Sequence, residues 1–126
     1  MVIKMIEGVG TDIIEVERIK KALKNKKFLN KVFTNNEIDY FNKNKNNPYT
    51  IAGYFASKEA VYKAISYEGI KINWQDIEIN KLSNNKPYVK LLNQDKYFNE
   101  GFFIKNIKLS ISHSKDNAIA FVIIER

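Results

Sequence analysis

Between Pro48 and Gly69 the chain reads PYTIAGYFASKEAVYKAISYE, with Gly53 as its only helix-weakening residue. Proline suits the first turn of a helix, where its missing N–H costs nothing, and a glycine just past the last turn is a common stop. The pattern predicts one long helix from Pro48 to Ser66 or Tyr67. Its composition restricts what can surround it. Ala56, Ala60 and Ala64 form a narrow ridge that admits another element closely, and the aromatic and aliphatic residues leave little plainly solvated surface. Lys58, Glu59 and Lys63 stand within that apolar background. An exposed Glu59–Lys63 pair at i,i+4 contributes only about 0.2 to 0.5 kcal/mol. A carboxylate beside alanine-lined packing is costly unless it is paired or bound to metal. The helix therefore needs a covering layer, and its charges point to a site.

The rest of the chain supplies that layer. Residues 2 to 9 (VIKMIEGV) read as a first strand closed by Gly8 and Gly10. DIIEVERIKKALKNKKF follows, with Ile14, Ile19, Ala22 and Leu23 at helical spacing and Asp12 near its start, so Asp12 is expected at a strand-to-helix junction. Thr34 to Glu37 has the T-x-x-E form of a capping box and opens a short helix through about Phe41. Beyond Gly69 the texture becomes β-like: WQDIEINKL and KPYVKLL flank the turn SNNKP, and IKLSIS and AIAFVII flank HSKDN as a hairpin with His113 at its mouth. Residues 93 to 103 fit either a short helix or an irregular crossing. The order predicts a single domain over residues 1–126, an α+β fold with the long central helix packed against an antiparallel sheet.

Composition excludes several functions. The 126 residues contain no cysteine, which removes disulfides, thiolate zinc sites and cysteine nucleophiles, and with one histidine a conventional zinc site has no ligand set. No apolar run approaches the roughly 20 residues of a membrane span, and the first apolar run is too soon interrupted by Glu7 and Asp12 for a secretion signal. A cytoplasmic protein is expected, with no membrane partner. The net charge of +7 suits an anionic partner. A basic nucleic-acid-binding module built on an Arg18–Lys27 helix, with Phe28, Tyr40 and Phe41 as a stacking platform, is the alternative reading; Asp12 and Glu59 have no place in it.

Three places carry chemistry. GVGTDI lacks the third glycine of a dinucleotide fingerprint, its position being Ile13, and leaves Asp12 as a carboxylate near the first strand, where an N-cap is the commoner fate. Glu59 and Lys63 lie one turn apart on the long helix. His113 sits at the rim of the last hairpin. Asp12 and Glu59 together suit Mg²⁺, which takes oxygen ligands and completes its shell with water and phosphate. Two carboxylates, a lysine and a histidine around one metal describe a phosphoryl-transfer site.

GVGTDIIEVERI, FASKEAVYKA, NKPYV and SISHSKDNAIAFVI occur in order and at suitable spacing, and together the chain resembles the holo-acyl-carrier-protein synthase family, the small phosphopantetheinyl transferases. The resemblance covers essentially the whole chain. It implies transfer of the 4'-phosphopantetheine arm of coenzyme A to a serine of apo-acyl carrier protein, with release of 3',5'-ADP. It further implies Asp12 and Glu59 as ligands of Mg²⁺ or Mn²⁺, Glu59, Lys63 and His113 as catalytic residues, and Lys58, Lys63, Lys86, Pro87 and His113 as contacts of the coenzyme. Arg18, Lys21 and Lys24 fall on the helix that docks the acidic carrier protein in that family, which is typically a homotrimer with active sites between subunits. The residues leave the general base open between Glu59 and a water held near Asp12. Two positions depart from the family pattern: Tyr54 stands in AGYF where an arginine is common, and Asn85 replaces the glycine before Lys86 and Pro87.

Overall fold

A computed structural model describes residues 5–66, 69–98, 104 and 106–125. The elements are β1 (Ile6–Glu15), α1 (Val16–Ala22), α2 (Phe28–Val32), α3 (Asn35–Lys43), α4 (Pro48–Ile65), β2 (Ile77–Lys81), β3 (Pro87–Leu91), β4 (Asn106–His113) and β5 (Asn117–Glu125). The expected α+β class is observed, with the antiparallel strands divided between two sheets. One has the order β1-β5-β4, and the other is the hairpin β2-β3. α4 lies across the larger sheet against β1 and β5, and it also meets β2 and β4.

α4 begins as the sequence predicts. Asn47 caps it, accepting from the Tyr49 amide at 2.9 Å, and Pro48 occupies the first turn. The helix ends at Ile65 with Ser66 as its cap, and Gly69 follows with a φ of 76°. Tyr67, the further limit of the predicted helix, lies outside the described residues, as do residues 99 to 103 of the ambiguous stretch. Gln94–Lys96 forms a 3-10 turn. The capping box at Thr34 and Glu37 is present in both directions, and α3 continues to Lys43, two residues past the predicted end.

The first strand departs from expectation. β1 continues through Gly8, Gly10 and Asp12 to Glu15, paired with β5 from Gly8 opposite Ile124 to Glu15 opposite Asn117. Neither Gly8 nor Gly10 has a positive φ, so neither makes a turn. What they provide is absence of a side chain. A Cβ on Gly8 would lie 2.2 Å from the Ala64 carbonyl oxygen, and one on Gly10 would lie 1.9 Å from that of Ala60. The alanine ridge of α4 and the glycines of β1 thus meet backbone to backbone. Strand alternation then puts Asp12 on the same inner face as Gly8 and Gly10, directed toward α4. Asp12 is a mid-strand residue opposite Ala120, not the junction residue that the sequence pattern suggested.

The first helix is correspondingly shorter. α1 stops at Ala22, and Asn25 turns the chain by accepting from the Lys27 amide at 3.0 Å through its side chain. Residues 18 to 27 are not one continuous basic helix, and Lys24 lies beyond the end of α1.

Trp74–Asp76 forms a 3-10 turn leading into β2. Asp76 is nearly buried and ties this turn to the segment after β3: it accepts from Asn93 at 2.8 Å, from Lys96 at 3.2 Å and from the Tyr97 hydroxyl. Burial raises its pKa, but the three hydrogen bonds outweigh burial and hold it below the ordinary 3.8. A depressed carboxylate contributes stability that is complete above 3.8 and is lost as pH falls through the lower, folded value. Asp76→Asn should therefore lower the urea midpoint at pH 7, and the gap to the parent should narrow as pH falls below 3.8.

The glycine contacts generate a second expectation. Gly10→Ala has backbone, not a flexible side chain, in its way. It should cost about 3 kcal/mol or more, read as a drop in urea midpoint at unchanged slope.

Candidate active site

Asp12 and Lys63 meet across the β1–α4 junction. Lys63 Nζ donates to Asp12 Oδ1 at 3.1 Å and to the Thr11 carbonyl at 3.0 Å, with the lysine side chain half exposed. Glu59, one turn back along α4, accepts from the Trp74 indole at 2.9 Å through Oε1. Burial pushes the Glu59 carboxyl up, and the nearby Asp12 charge adds to it, opposed by the indole hydrogen bond and by Lys63. Glu59 and Lys63 are not hydrogen-bonded to each other among the described residues; each turns to a partner on another element. Asp12 Oδ2 and Glu59 Oε2 have no hydrogen-bond partner among the described residues. Two carboxylates that repel each other, each with an oxygen left over, are a donor set that fits a hard divalent cation.

Lys58 faces elsewhere. It is fully buried, 2.7 Å from Glu37, and donates to the carbonyls of Trp74 and Ile77. Its ammonium also lies 5.3 Å from the centre of the Phe33 ring. Glu37, equally buried, accepts from the Thr34 and Ile79 amides at 2.9 and 2.8 Å. Burial pushes Glu37 up and Lys58 down, each opposed by the other's charge. The expectation of Lys58 as a coenzyme contact is corrected: every ammonium hydrogen has an acceptor inside the protein.

His113 is at the other end of α4. Its Nε2 donates to the Tyr49 carbonyl at 2.8 Å, leaving Nδ1 for a ligand. Gly53 makes room for the ring, since a Cβ there would lie 2.9 Å from Nε2. A cleft of about 280 Å³ opens beside it, lined among others by Tyr54, Lys81, Asn85, Pro87 and Ile111. Pro87 lines this cleft, and Lys86 is exposed in the adjoining turn. Asn85 takes the left-handed conformation, φ 69°, that a glycine would occupy without strain. Tyr54 turns its ring inward, stacked on Tyr40 at 5.6 Å and edge-on to Phe41 at 5.0 Å, and burial drives its hydroxyl well above the usual tyrosine range.

The predicted residues thus form two clusters. Asp12, Glu59 and Lys63 come together near the C-terminal half of α4, while His113 and Pro87 gather near its N-terminal half. From Gly53 the helix rises about 9 Å to Glu59 and about 15 Å to Lys63, and no hydrogen bond joins His113 to either among the described residues. Arg18, Lys21 and Lys24 are exposed, the first two on α1. The nucleic-acid platform is not formed: Phe41 is buried, Phe28 packs on Phe33 and Phe55, and Tyr40 is stacked on Tyr54. Sequence reasoning passed over Trp74 and the second role of Glu37. The lone tryptophan was the available signal for the first; Glu37 was hidden by its capping box.

Residues 8–122 match the sequence profile of the 4'-phosphopantetheinyl transferase superfamily. The chain is 48% identical over 122 residues to the holo-[acyl-carrier-protein] synthase of Caldicellulosiruptor saccharolyticus, spanning 97% of this chain and 98% of that protein. Its fold superposes on the Bacillus anthracis holo-(acyl-carrier-protein) synthase in complex with CoA (3',5'-ADP), with a TM-score of 0.76 and 36% identity, covering 96% of this chain and 97% of that one. The Helicobacter pylori holo-[acyl-carrier-protein] synthase, in complex with coenzyme A, gives a TM-score of 0.78 at 35% identity, covering 92% and 98%. The matching profile, the full-length relatives and the shared fold make this a phosphopantetheinyl-transferase type of enzyme. The chain belongs to the 4'-phosphopantetheinyl transferase superfamily and, within it, to the holo-acyl-carrier-protein synthase family.

The reassignment of Lys58 is testable. Lys58→Met leaves Glu37 buried without its counter-charge and should cost about 3 to 5 kcal/mol by urea titration. The folded fraction should bind coenzyme A as the parent does, measured by calorimetry below the melting temperature.

Proposed function

We propose that this chain, as a single domain over residues 1–126, transfers the 4'-phosphopantetheine arm of coenzyme A to a serine of an acidic apo-acyl carrier protein. The other product is 3',5'-ADP, and the setting is cytoplasmic carrier-protein activation for fatty acid biosynthesis. The observation that carries the reading is the convergence of Asp12, Glu59 and Lys63 where β1 meets α4. None of the described helices is long and apolar enough to cross a membrane.

Asp12 and Glu59 would hold Mg²⁺ or Mn²⁺. Such an ion, when bound, neutralises pyrophosphate oxygens and strengthens the electrophilic phosphorus. The serine oxygen forms a bond to the β-phosphorus as the bridging P–O bond to 3',5'-ADP breaks. Lys63, half exposed and held beside Asp12, donates to the charge that gathers on the leaving phosphate. The hydroxyl proton passes to Glu59 or to a water beside Asp12. His113, with Nδ1 free, and Pro87 border the cleft that takes the coenzyme, with Lys86 at its turn. Lys81, which lines that cleft, supplies positive charge where the family often carries the arginine replaced here by Tyr54. Arg18, Lys21 and Lys24 steer the acidic carrier by long-range attraction, an effect on association rate and salt dependence.

The active assembly is a homotrimer whose sites lie between subunits. Two observations support this. The residue clusters lie toward opposite ends of α4, about 9 to 15 Å apart along the helix, a separation that suits a site completed by a second subunit. The outer face of the β1–β5 pair also presents Val9, Ile13, Ile119 and Phe121, an exposed apolar surface of the kind buried between subunits.

Intact-protein mass spectrometry tests the reaction. An apo-acyl carrier protein incubated with this enzyme, coenzyme A and Mg²⁺ should gain one phosphopantetheine, and the gain should vanish with Glu59→Ala or EDTA. No gain on any carrier, with no coenzyme A binding by a folded protein, would overturn the reading. Sedimentation at assay concentration should show trimers; active monomers would exclude the shared site.

A further inference from the structure

Trp74 is the only tryptophan in the chain, and two consecutive residues of α4 hold it. Lys58 Nζ donates to its carbonyl at 2.7 Å, and Glu59 Oε1 accepts from its indole N–H at 2.9 Å. Its ring packs against Phe55, with centroids 6.1 Å apart. The preceding Asn73 amide donates to the Tyr97 hydroxyl at 3.1 Å, and that hydroxyl is bonded to Asp76 at the end of the same turn. The indole is therefore fixed from the helix, from its own ring face and from both ends of its turn.

An indole N–H can only donate, and it donates to one oxygen. By engaging Oε1 it leaves Oε2 without a hydrogen-bond partner among the described residues, on a side chain that lines an opening of about 350 Å³ with Trp74, Tyr62, Ile72 and Asn73. A free glutamate must freeze several rotatable bonds to serve as a ligand, whereas a carboxylate already clamped through one oxygen has lost that freedom beforehand.

We propose that Trp74 is a positioning residue for Glu59: its indole clamps one carboxylate oxygen so that a divalent cation meets the other as a preset, single-oxygen ligand, and buried Lys58 holds Trp74 in place from behind. The proposal rests on the reading of Asp12 and Glu59 as cation ligands. It also gives Lys58 a part in the site that does not require contact with substrate.

The test uses the full chain with coenzyme A present and counts bound Mn²⁺ by equilibrium dialysis. Trp74→Phe keeps an aromatic ring against Phe55 and removes the donor. It should weaken Mn²⁺ binding about tenfold while leaving coenzyme A affinity measured in EDTA unchanged. Parental Mn²⁺ affinity in Trp74→Phe, together with lost binding in Glu59→Ala, overturns the positioning role and leaves the cation site standing. Mn²⁺ binding that survives Glu59→Ala overturns the cation reading and the proposal with it. A fluorescence measurement needs no change at Trp74. Glu59→Gln retains an oxygen for the indole and should keep the parental emission maximum, whereas Glu59→Ala should shift it. Mg²⁺ should alter the emission of the parent and not of Glu59→Ala. Emission indifferent both to Glu59→Ala and to Mg²⁺ contradicts the clamp.

Discussion

The rest of the structure depends on how closely β1 can approach α4. Gly8 and Gly10 face the carbonyls of Ala64 and Ala60 at separations that exclude even one methyl group. The neighbouring strand contributes Ala118 and Ala120, both fully buried, so small residues line the contact from three elements. Alanine and glycine bury less apolar area than leucine would and forgo the corresponding transfer energy, about 25 cal/mol per Å². The gain is positional. With strand and helix backbones in contact, a side chain as short as that of Asp12 reaches the lysine of the helix two residues further along the strand.

The buried Glu37–Lys58 pair sets the other side of the helix. Desolvating two charges is expensive, and such a pair is often replaceable by apolar residues without loss of stability. Its partners show what it organises. Glu37 closes the start of α3 and accepts from β2 at Ile79, while Lys58 binds the carbonyls of Trp74 and Ile77. One ion pair thereby joins α3, α4, the Trp74 turn and β2 in a single register. An apolar substitute would fill the volume and leave those directional groups without partners.

Between these two contacts α4 presents its chemistry at separate ends. The carboxylates and Lys63 belong to the end where β1 crosses, and His113 belongs to the end where the β4–β5 hairpin turns. The spacing along a straight helix keeps them apart, which is the separation that the proposed trimer would bridge. In the proposed reaction both ends of α4 serve one bound coenzyme, held by positioning and charge compensation.

Much of the fold was legible along the chain because its signals are local. Pro48 and Gly69 bracket α4, Thr34 and Glu37 spell their capping box, Asn85 accepts the left-handed turn, and alternation marks the hairpin ending at His113. Asp12, Glu59 and Lys63 stood out by residue type and spacing. The extent of β1 was hidden, since glycines that ordinarily signal a turn were serving close packing against residues more than fifty positions away. The fates of Lys58 and Lys63 were equally unreadable. Both are lysines on one helix, yet one is enclosed by Glu37 and the 74–77 segment and the other reaches Asp12 at the surface. Local pattern determines helix, strand and cap because those depend on neighbours within a few residues. Which charge is buried, and which carboxylate oxygen is left open, depends on partners that only the folded chain brings together.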